Sequence, residues 1–187
     1  MDAVFDCGLC ILRPWQSTDK TSLIRHANNK NVSRNLRDHF PYPYRDADAD
    51  AFLSVASASN SRDLIYAIVI RGEAVGGIGV HPRKDVERHS AEIGYWLGED
   101  FWGRGIATAA VTKLSHHALR EPDIYRIFAT VFASNPASAR VLEKAGFILE
   151  GLLSRAILKN GMLIDAALYA MTRDPGLPLI QWGDRQT

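Results

Sequence analysis

The stretch AEIGYWLGEDFWGRGIATAAVTKL, Ala91 to Leu114, decides how this chain is read. A short apolar strand, Ala91 to Leu97, runs through a Gly-Arg-Gly turn directly into a helix expected over Gly103 to Leu119. Its buried stripe is Ile106, Ala110, Val111, Leu114 and Ala118. Gly103 and Gly105 let the main chain come close to an anion. The helix start adds unpaired amides and the positive end of the helix dipole. The ligand expected here carries a phosphate or pyrophosphate. A P-loop does not fit, because no Lys-Ser or Lys-Thr follows the glycines. A dinucleotide fingerprint fits poorly: Thr108 stands in the third glycine place, the segment lies in mid-chain, and Glu121 and Asp123 precede the next strand.

A second signal follows in Asn135-Pro136-Ala137-Ser138-Ala139-Arg140-Val141-Leu142-Glu143-Lys144-Ala145-Gly146-Phe147. Asn135 comes after a strand over Ile124 to Phe132 and suits an N-cap. Pro136 suits the first helical position, and Gly146 suits the helix end. The ordered pair, strand–GRG–helix and then strand–N-P-x-S–short helix–G-F, resembles the GNAT superfamily of acyl-CoA-dependent N-acyltransferases. Within it, AEIGYWL, W-G-R-G-I-A and N-P-A-S-A-R-V-L-E-K-A-G-F-I-L-E-G look most like the RimJ/RimL group, which includes ribosomal-protein N-terminal acetyltransferases. The resemblance starts at Leu12-Arg13-Pro14, passes through Pro41-Tyr42-Pro43-Tyr44 and reaches Tyr169.

The resemblance implies a single-domain α/β (α+β) GNAT fold over residues 1–173 with an irregular tail, 174–187. Its sheet is mixed, twisted and mostly antiparallel, with about seven strands, the fourth and fifth parallel and splayed, and helices on both faces. It also implies acetyl-CoA as co-substrate. The pantetheine arm would lie in the splay, near the backbone of Trp96 and Leu97. Gly103 and the amides of Arg104, Gly105, Ile106, Ala107 and Thr108 would take the pyrophosphate. Trp102 stands where the family usually has Arg or Gln, so one polar contact is lost. Arg104, Arg140 and Lys144 are each either phosphate partners or solvated surface residues.

Transfer to an amine needs a nitrogen that has lost its proton. Glu92 falls where some superfamily members carry a catalytic Glu, and flanking Ala91 and Ile93 put its carboxylate on a largely covered sheet. It is either the base or a residue that bonds backbone or positions substrate. Many members hold the leaving thiolate with a Tyr at the place occupied here by Leu142. By resemblance to RimL-like enzymes Ser138 takes that task and Asn135 holds the pantetheine amides; the plain alternative for Ser138 is a first-turn structural serine. Asp165, Tyr169, Phe40, Tyr42 and Tyr44 either line the acceptor side or simply pack, and His81 reads as a strand-end surface residue. The expected acceptor is a primary amine, either a protein N-terminal amine such as that of a ribosomal protein or a small-molecule amine. Amino-acid analogues, polyamines, antibiotics and a non-catalytic CoA-binding sensor stand as alternatives, because resemblance does not choose an acceptor.

Composition agrees with one soluble domain: 187 residues, 47% hydrophobic, 23% charged and net charge +1. No basic excess points to nucleic acid, and no apolar run nears the roughly 20 residues that span a bilayer. The N-terminus, MDAVFDCGLC, lacks a signal-peptide pattern, so a cytoplasmic protein is expected, and no metal site is expected either. The resemblance also admits a homodimer. Cys7 and Cys10 form a C-x-x-C with no second pair. On one strand, residues three apart point to opposite faces, so two unrelated packed thiols are expected.

The remaining elements are read from pattern. They are a first strand around Gly8 to Pro14, a helix from Ser17-Thr18-Asp19 to about Asn28, a helical region over Arg34 to His39, and a helix over Asp46 to Ala58. Two hairpins complete the set: Leu64–Arg71 with Ala74–His81, turning at Gly72-Glu73, and Ile148–Leu158 with Met162–Met171, turning at Asn160-Gly161.

Overall fold

Three tight hairpins and one helical crossover lay the described strands of this chain side by side. The computed structural model describes residues 4–57, 62–174 and 176. The strands β1 (Phe5–Asp6), β2 (Ile11–Pro14), β3 (Leu64–Ile70), β4 (Glu73–Pro82), β5 (Ser90–Leu97), β6 (Arg126–Phe132), β7 (Ile148–Lys159) and β8 (Met162–Thr172) form one sheet of order β1-β2-β3-β4-β5-β6-β8-β7. Every neighbouring pair is antiparallel except β5 and β6. Parallel strands need a crossover, and α4 (Ile106–Ala118) supplies it. The β7–β8 hairpin turns at Asn160-Gly161, with φ of 51° and 77°, as a type I′ turn requires. In the β3–β4 hairpin the residues at positive φ are Arg71 and Gly72, 49° and 85°. That turn therefore lies one residue earlier than the expected Gly72-Glu73.

The sheet has a core on each face. Strand residues alternate between faces. On one side Leu12, Ile68, Val80, Ala91, Ile93 and Ile127 pack under α4 and α5 (Pro136–Lys144). All five residues of the expected stripe on α4 are buried there. On the other side Trp15, Ala67, Val69 and Ala74 pack under α1 (Lys20–Ala27) and α3 (Asp46–Ala56), with Tyr44 from the preceding loop. Arg13 clamps Asp19 with two hydrogen bonds of 2.7 Å and so ties β2 to the start of α1. Among the described residues no helix is long and apolar enough to cross a membrane.

Four expectations are corrected. The sheet has eight strands where about seven were expected, because a two-residue β1 ahead of the expected first strand pairs back onto β2 across Gly8 and Leu9; the parallel pair is thus the fifth and sixth. The helical region expected at Arg34–His39 is absent. Its place is taken by a shorter α2, Lys30–Ser33, which Asn29 caps by accepting from the amides of Asn31 and Val32. The turn shift at Arg71-Gly72 is the third. Finally, Cys7 and Cys10 do not point apart. Gly8, at φ 76°, reverses the chain, and the Cys7 amide donates to the Cys10 carbonyl at 2.9 Å across a two-residue turn. The expected tail, 174–187, lies outside the described residues apart from Asp174 and Gly176.

Candidate active site

The site grows from the place where β5 and β6 part. Their ladder pairs Ser90 with Arg126, Ala91 with Ile127 and Glu92 with Phe128, and stops there. Beyond it the strands diverge into a wedge. β5 ends at Leu97, whose carbonyl accepts the Trp102 ring N–H at 2.7 Å. Trp102 is otherwise 42% exposed, so this bond is what fixes the indole beside the strand end. Trp96 turns its ring to the other face, 5.3 Å from Phe40, and its carbonyl lies 2.5 Å from where a Cβ on Gly76 would stand.

Next to the wedge, the Gly-Arg-Gly turn opens α4. Gly103 and Gly105 both hold left-handed φ, 73° and 77°, and Gly105 is the N-cap residue. No side chain caps this helix, so the first-turn amides of Ile106, Ala107 and Thr108 have no intrahelical acceptor and no capping oxygen. No heavy atom lies within 4 Å of a Cβ built on Gly103, and on Gly105 only Leu9 Cδ1 is near, at 3.3 Å. An open row of amides at the positive end of a 13-residue helix is a fitting cradle for a pyrophosphate. Beside it runs a groove lined by Leu9, Arg71, Phe101, Arg104 and Ile106. The exposed Arg104 guanidinium lies 5.6 Å from the Phe101 ring centre. Arg140 and Lys144 are exposed on α5.

Across the wedge, Asn135 caps α5. Its side-chain oxygen accepts from the Ser138 amide at 3.2 Å, and Pro136 holds the first helical position, as the sequence led one to expect. With that oxygen engaged, Asn135 offers a ligand its Nδ2 donors. Ser138 is half-buried, and Tyr95 reaches it from β5: Tyr95 Oη lies 2.8 Å from Ser138 Oγ and 3.1 Å from the Ser138 carbonyl oxygen. Burial pushes the Tyr95 phenol up to about 12, against a smaller opposite effect from Ser138. Leu142 is fully buried beneath.

Glu92 leaves β5 on the opposite face from Tyr95, three residues away. Its carboxylate is mostly covered and meets the exposed guanidinium of Arg37, which comes from the loop between α2 and α3. The same loop is tied to the β7–β8 hairpin, where Lys159 Nζ donates to Asp38 at 2.6 Å. Phe40 and Tyr44 form an aromatic wall next to Trp96, while Tyr42 is exposed. His81 stands directly across the β4–β5 ladder from Glu92, with Nδ1 3.4 Å from Asp63. The hairpin residues are further off. Tyr169 is buried and donates to Glu143, and Asp165 accepts from the Arg155 amide.

Reasoning from the sequence missed Tyr95 and Arg37. Tyr95 was within reach, since its place on β5 assigns it to the α4/α5 face. Arg37 carried no local signal, because only the fold brings its loop to Glu92.

The Acetyltransferase (GNAT) domain matches residues 10–148 of this chain. A ribosomal-protein-serine acetyltransferase of Escherichia coli is 34% identical over 110 residues, 59% of this chain and 61% of that protein. The chain spans between 55% and 61% of the lengths of four of the curated relatives it matches. A solved structure of Mycobacterium smegmatis RimJ in complex with CoA-disulfide has a TM-score of 0.76 and 31% identity, covering 91% of this chain and 85% of that one. A structure of RimL, a ribosomal L7/L12 alpha-N-protein acetyltransferase, in complex with coenzyme A has a TM-score of 0.81 and 24% identity; it covers 92% and 99% of the two chains and shows the shared fold. With the domain matched across most of the sequence and the splayed parallel pair in place, this chain belongs to the GNAT acetyltransferase family.

Proposed function

We propose that the protein transfers an acetyl group from acetyl-CoA directly to a primary amine, and that the amine is the N-terminus of a ribosomal protein. The observation that carries this reading is the uncapped glycine turn opening α4 at the mouth of the wedge, with Glu92 on one face of β5 and Ser138 on the other. Acetyl-CoA supplies the activated acetyl carbon. The amides of Ile106, Ala107 and Thr108 anchor its pyrophosphate, and Asn135 Nδ2 holds the arm in the wedge. Glu92, on the acceptor face, receives the amine proton directly or through water. Ser138 Oγ donates to the sulfur as negative charge collects there. Transfer is direct, without a covalent enzyme intermediate: Cys7 and Cys10 belong to the β1–β2 turn and to neither β5 nor α5.

The protein acceptor is supported by the Escherichia coli relative named as a ribosomal-protein-serine acetyltransferase and by an acceptor face walled with Phe40 and Tyr44. The test is thiol release from acetyl-CoA with ribosomal N-terminal peptides, polyamines, amino-acid analogues and aminoglycosides. Release with one peptide class supports the proposal. Release with a small amine alone reassigns the acceptor, and tight CoA binding without release for any of them leaves a sensor.

A further inference from the structure

We propose that Tyr95 is a positioning residue for Ser138: its phenol donates to Ser138 Oγ and so turns the serine proton toward the thiolate that leaves in the wedge. This rests on the reading of Ser138 given above. Two hydrogen-bond arrangements satisfy the observed distances. In the first, Tyr95 Oη–H donates to the Ser138 carbonyl at 3.1 Å, and Ser138 Oγ–H donates to Tyr95 Oη at 2.8 Å. The carbonyl can only accept, so in this state the single serine proton is engaged. In the second, the phenolic proton swings to Ser138 Oγ across the same 2.8 Å, and the serine proton is released to point into the wedge. One rotation of each hydroxyl exchanges the two states, with no heavy atom moving.

Negative charge on sulfur selects the second state. During transfer, the amine nitrogen bonds to the acetyl carbon and the carbon–sulfur bond breaks with its electron pair going to sulfur. The amine proton passes to Glu92 or water. Ser138 donates a hydrogen bond to the thiolate, Tyr95 donates to Ser138, and neither hydroxyl loses its proton. The thiolate later takes a proton from solvent. A chain of two donors polarises itself, so the serine is a stronger donor than it would be alone. Burial holds the Tyr95 phenol at about 12, so it keeps its proton at physiological pH and acts as a donor throughout. Leu142 leaves α5 without a phenol of its own, and Tyr95 delivers one to the serine from the opposite wall of the wedge.

The test combines a double-mutant cycle with a titration. For wild type, Tyr95→Phe, Ser138→Ala and the double variant, kcat and the KM for acetyl-CoA are measured. Losing a direct donor costs about a hundredfold in kcat, and a donor one bond behind should cost roughly tenfold with KM within about threefold. In the Ser138→Ala background Tyr95→Phe should cost nothing more. An equal loss in both backgrounds, or no loss in either, overturns the inference. The second readout needs no acceptor: the thiol of bound CoA is titrated by its ultraviolet thiolate absorbance. Its pKa should rise in Tyr95→Phe and in Ser138→Ala alike, whereas fluorotyrosine at position 95, a stronger donor with the same ring, should lower it. A thiol pKa that is the same in all four proteins sinks the proposal even if acetyl transfer is robust. A pKa that shifts as expected in a protein that acetylates no amine retires the functional reading and leaves the thiolate contact standing.

Discussion

Replacing the glycines of the α4 turn separates the cost of a backbone shape from the cost of a lost ligand. Gly105 and Gly103 lie at φ 77° and 73°. An L-residue in that region is disfavoured by roughly 1–2 kcal/mol. Alanine recovers about 0.4–1 kcal/mol of that by restricting the unfolded chain. The net loss for either Gly→Ala change is therefore about 1 kcal/mol, a fall in Tm of about 2–4 °C for a domain of this size. Gly105→Ala adds a contact with Leu9 Cδ1 at 3.3 Å, which the flexible end of that side chain relieves by moving a few tenths of an ångström; Gly103→Ala meets open space. Domains typically hold about 5–15 kcal/mol of stability, so both variants stay folded at 25 °C and can be titrated with CoA in a calorimeter. If the turn cradles a pyrophosphate, each added methyl lies among its amides, and affinity should fall at least about tenfold, equivalent to about 1.4 kcal/mol. Gly105→Val should remove binding altogether, since a β-branched residue resists positive φ still more. The reasoning is refuted if both alanine variants lose the expected Tm yet bind CoA as wild type does: the turn would then only start a helix.

Three further outcomes are expected. Glu92→Gln should lower kcat by at least about a hundredfold while leaving CoA affinity within about twofold, measured by thiol release and calorimetry; full turnover across pH removes the base assignment. In the fold, burial alone would raise the Asp19 carboxyl, but hydrogen bonds from Arg13 and the Gln16 amide and the Arg13 charge outweigh it and hold it below its usual value. Its stabilisation is therefore complete above the unfolded carboxylate value of about 3.9 and is lost as pH falls through the lower folded value. Urea midpoints should drop in that acid window for wild type and less for Asp19→Asn, and Arg13→Ala, which strands a buried carboxylate, should cost about 3 kcal/mol at neutral pH. Between the cysteines, a hydrogen bond from Cys10 holds the Cys7 thiol below its ordinary value, while that same bond and burial push Cys10 up. Brief alkylation followed by mass spectrometry should label Cys7 at least about tenfold faster than Cys10.

What could be read from the sequence was what local chemistry decides. The strand–GRG–helix stretch, the Asn135-Pro136 cap and the Asn160-Gly161 turn each carry their instructions within a few residues, and the structure places them accordingly. Errors arose where a neighbour along the chain competed. Asn29 captured the amides of Asn31 and Val32 and so started α2 ahead of Arg34, and the helix runs only to Ser33. Gly8, read as the start of the first strand, instead opens a turn back onto β1, and this brings two thiols together. The rest was hidden because it is tertiary. Arg37 meets Glu92 across 55 residues, and Tyr95 meets Ser138 across 43. No window of sequence contains either pair.

The opposite exits of Glu92 and Tyr95 from one strand make the sheet a partition between two trades. Under the proposed function, the glycine turn, α5 and the tyrosine–serine pair on one side would serve a donor molecule that never changes. On the other, α1, α3 and the loop carrying Arg37 and Phe40 would, under the same proposal, bound the side that meets the amine. Each side has its own core, so substitutions in one need not be answered in the other. A scaffold divided in this way can be given a new acceptor by rebuilding a single loop and two short helices, while the donor's side stays as it is.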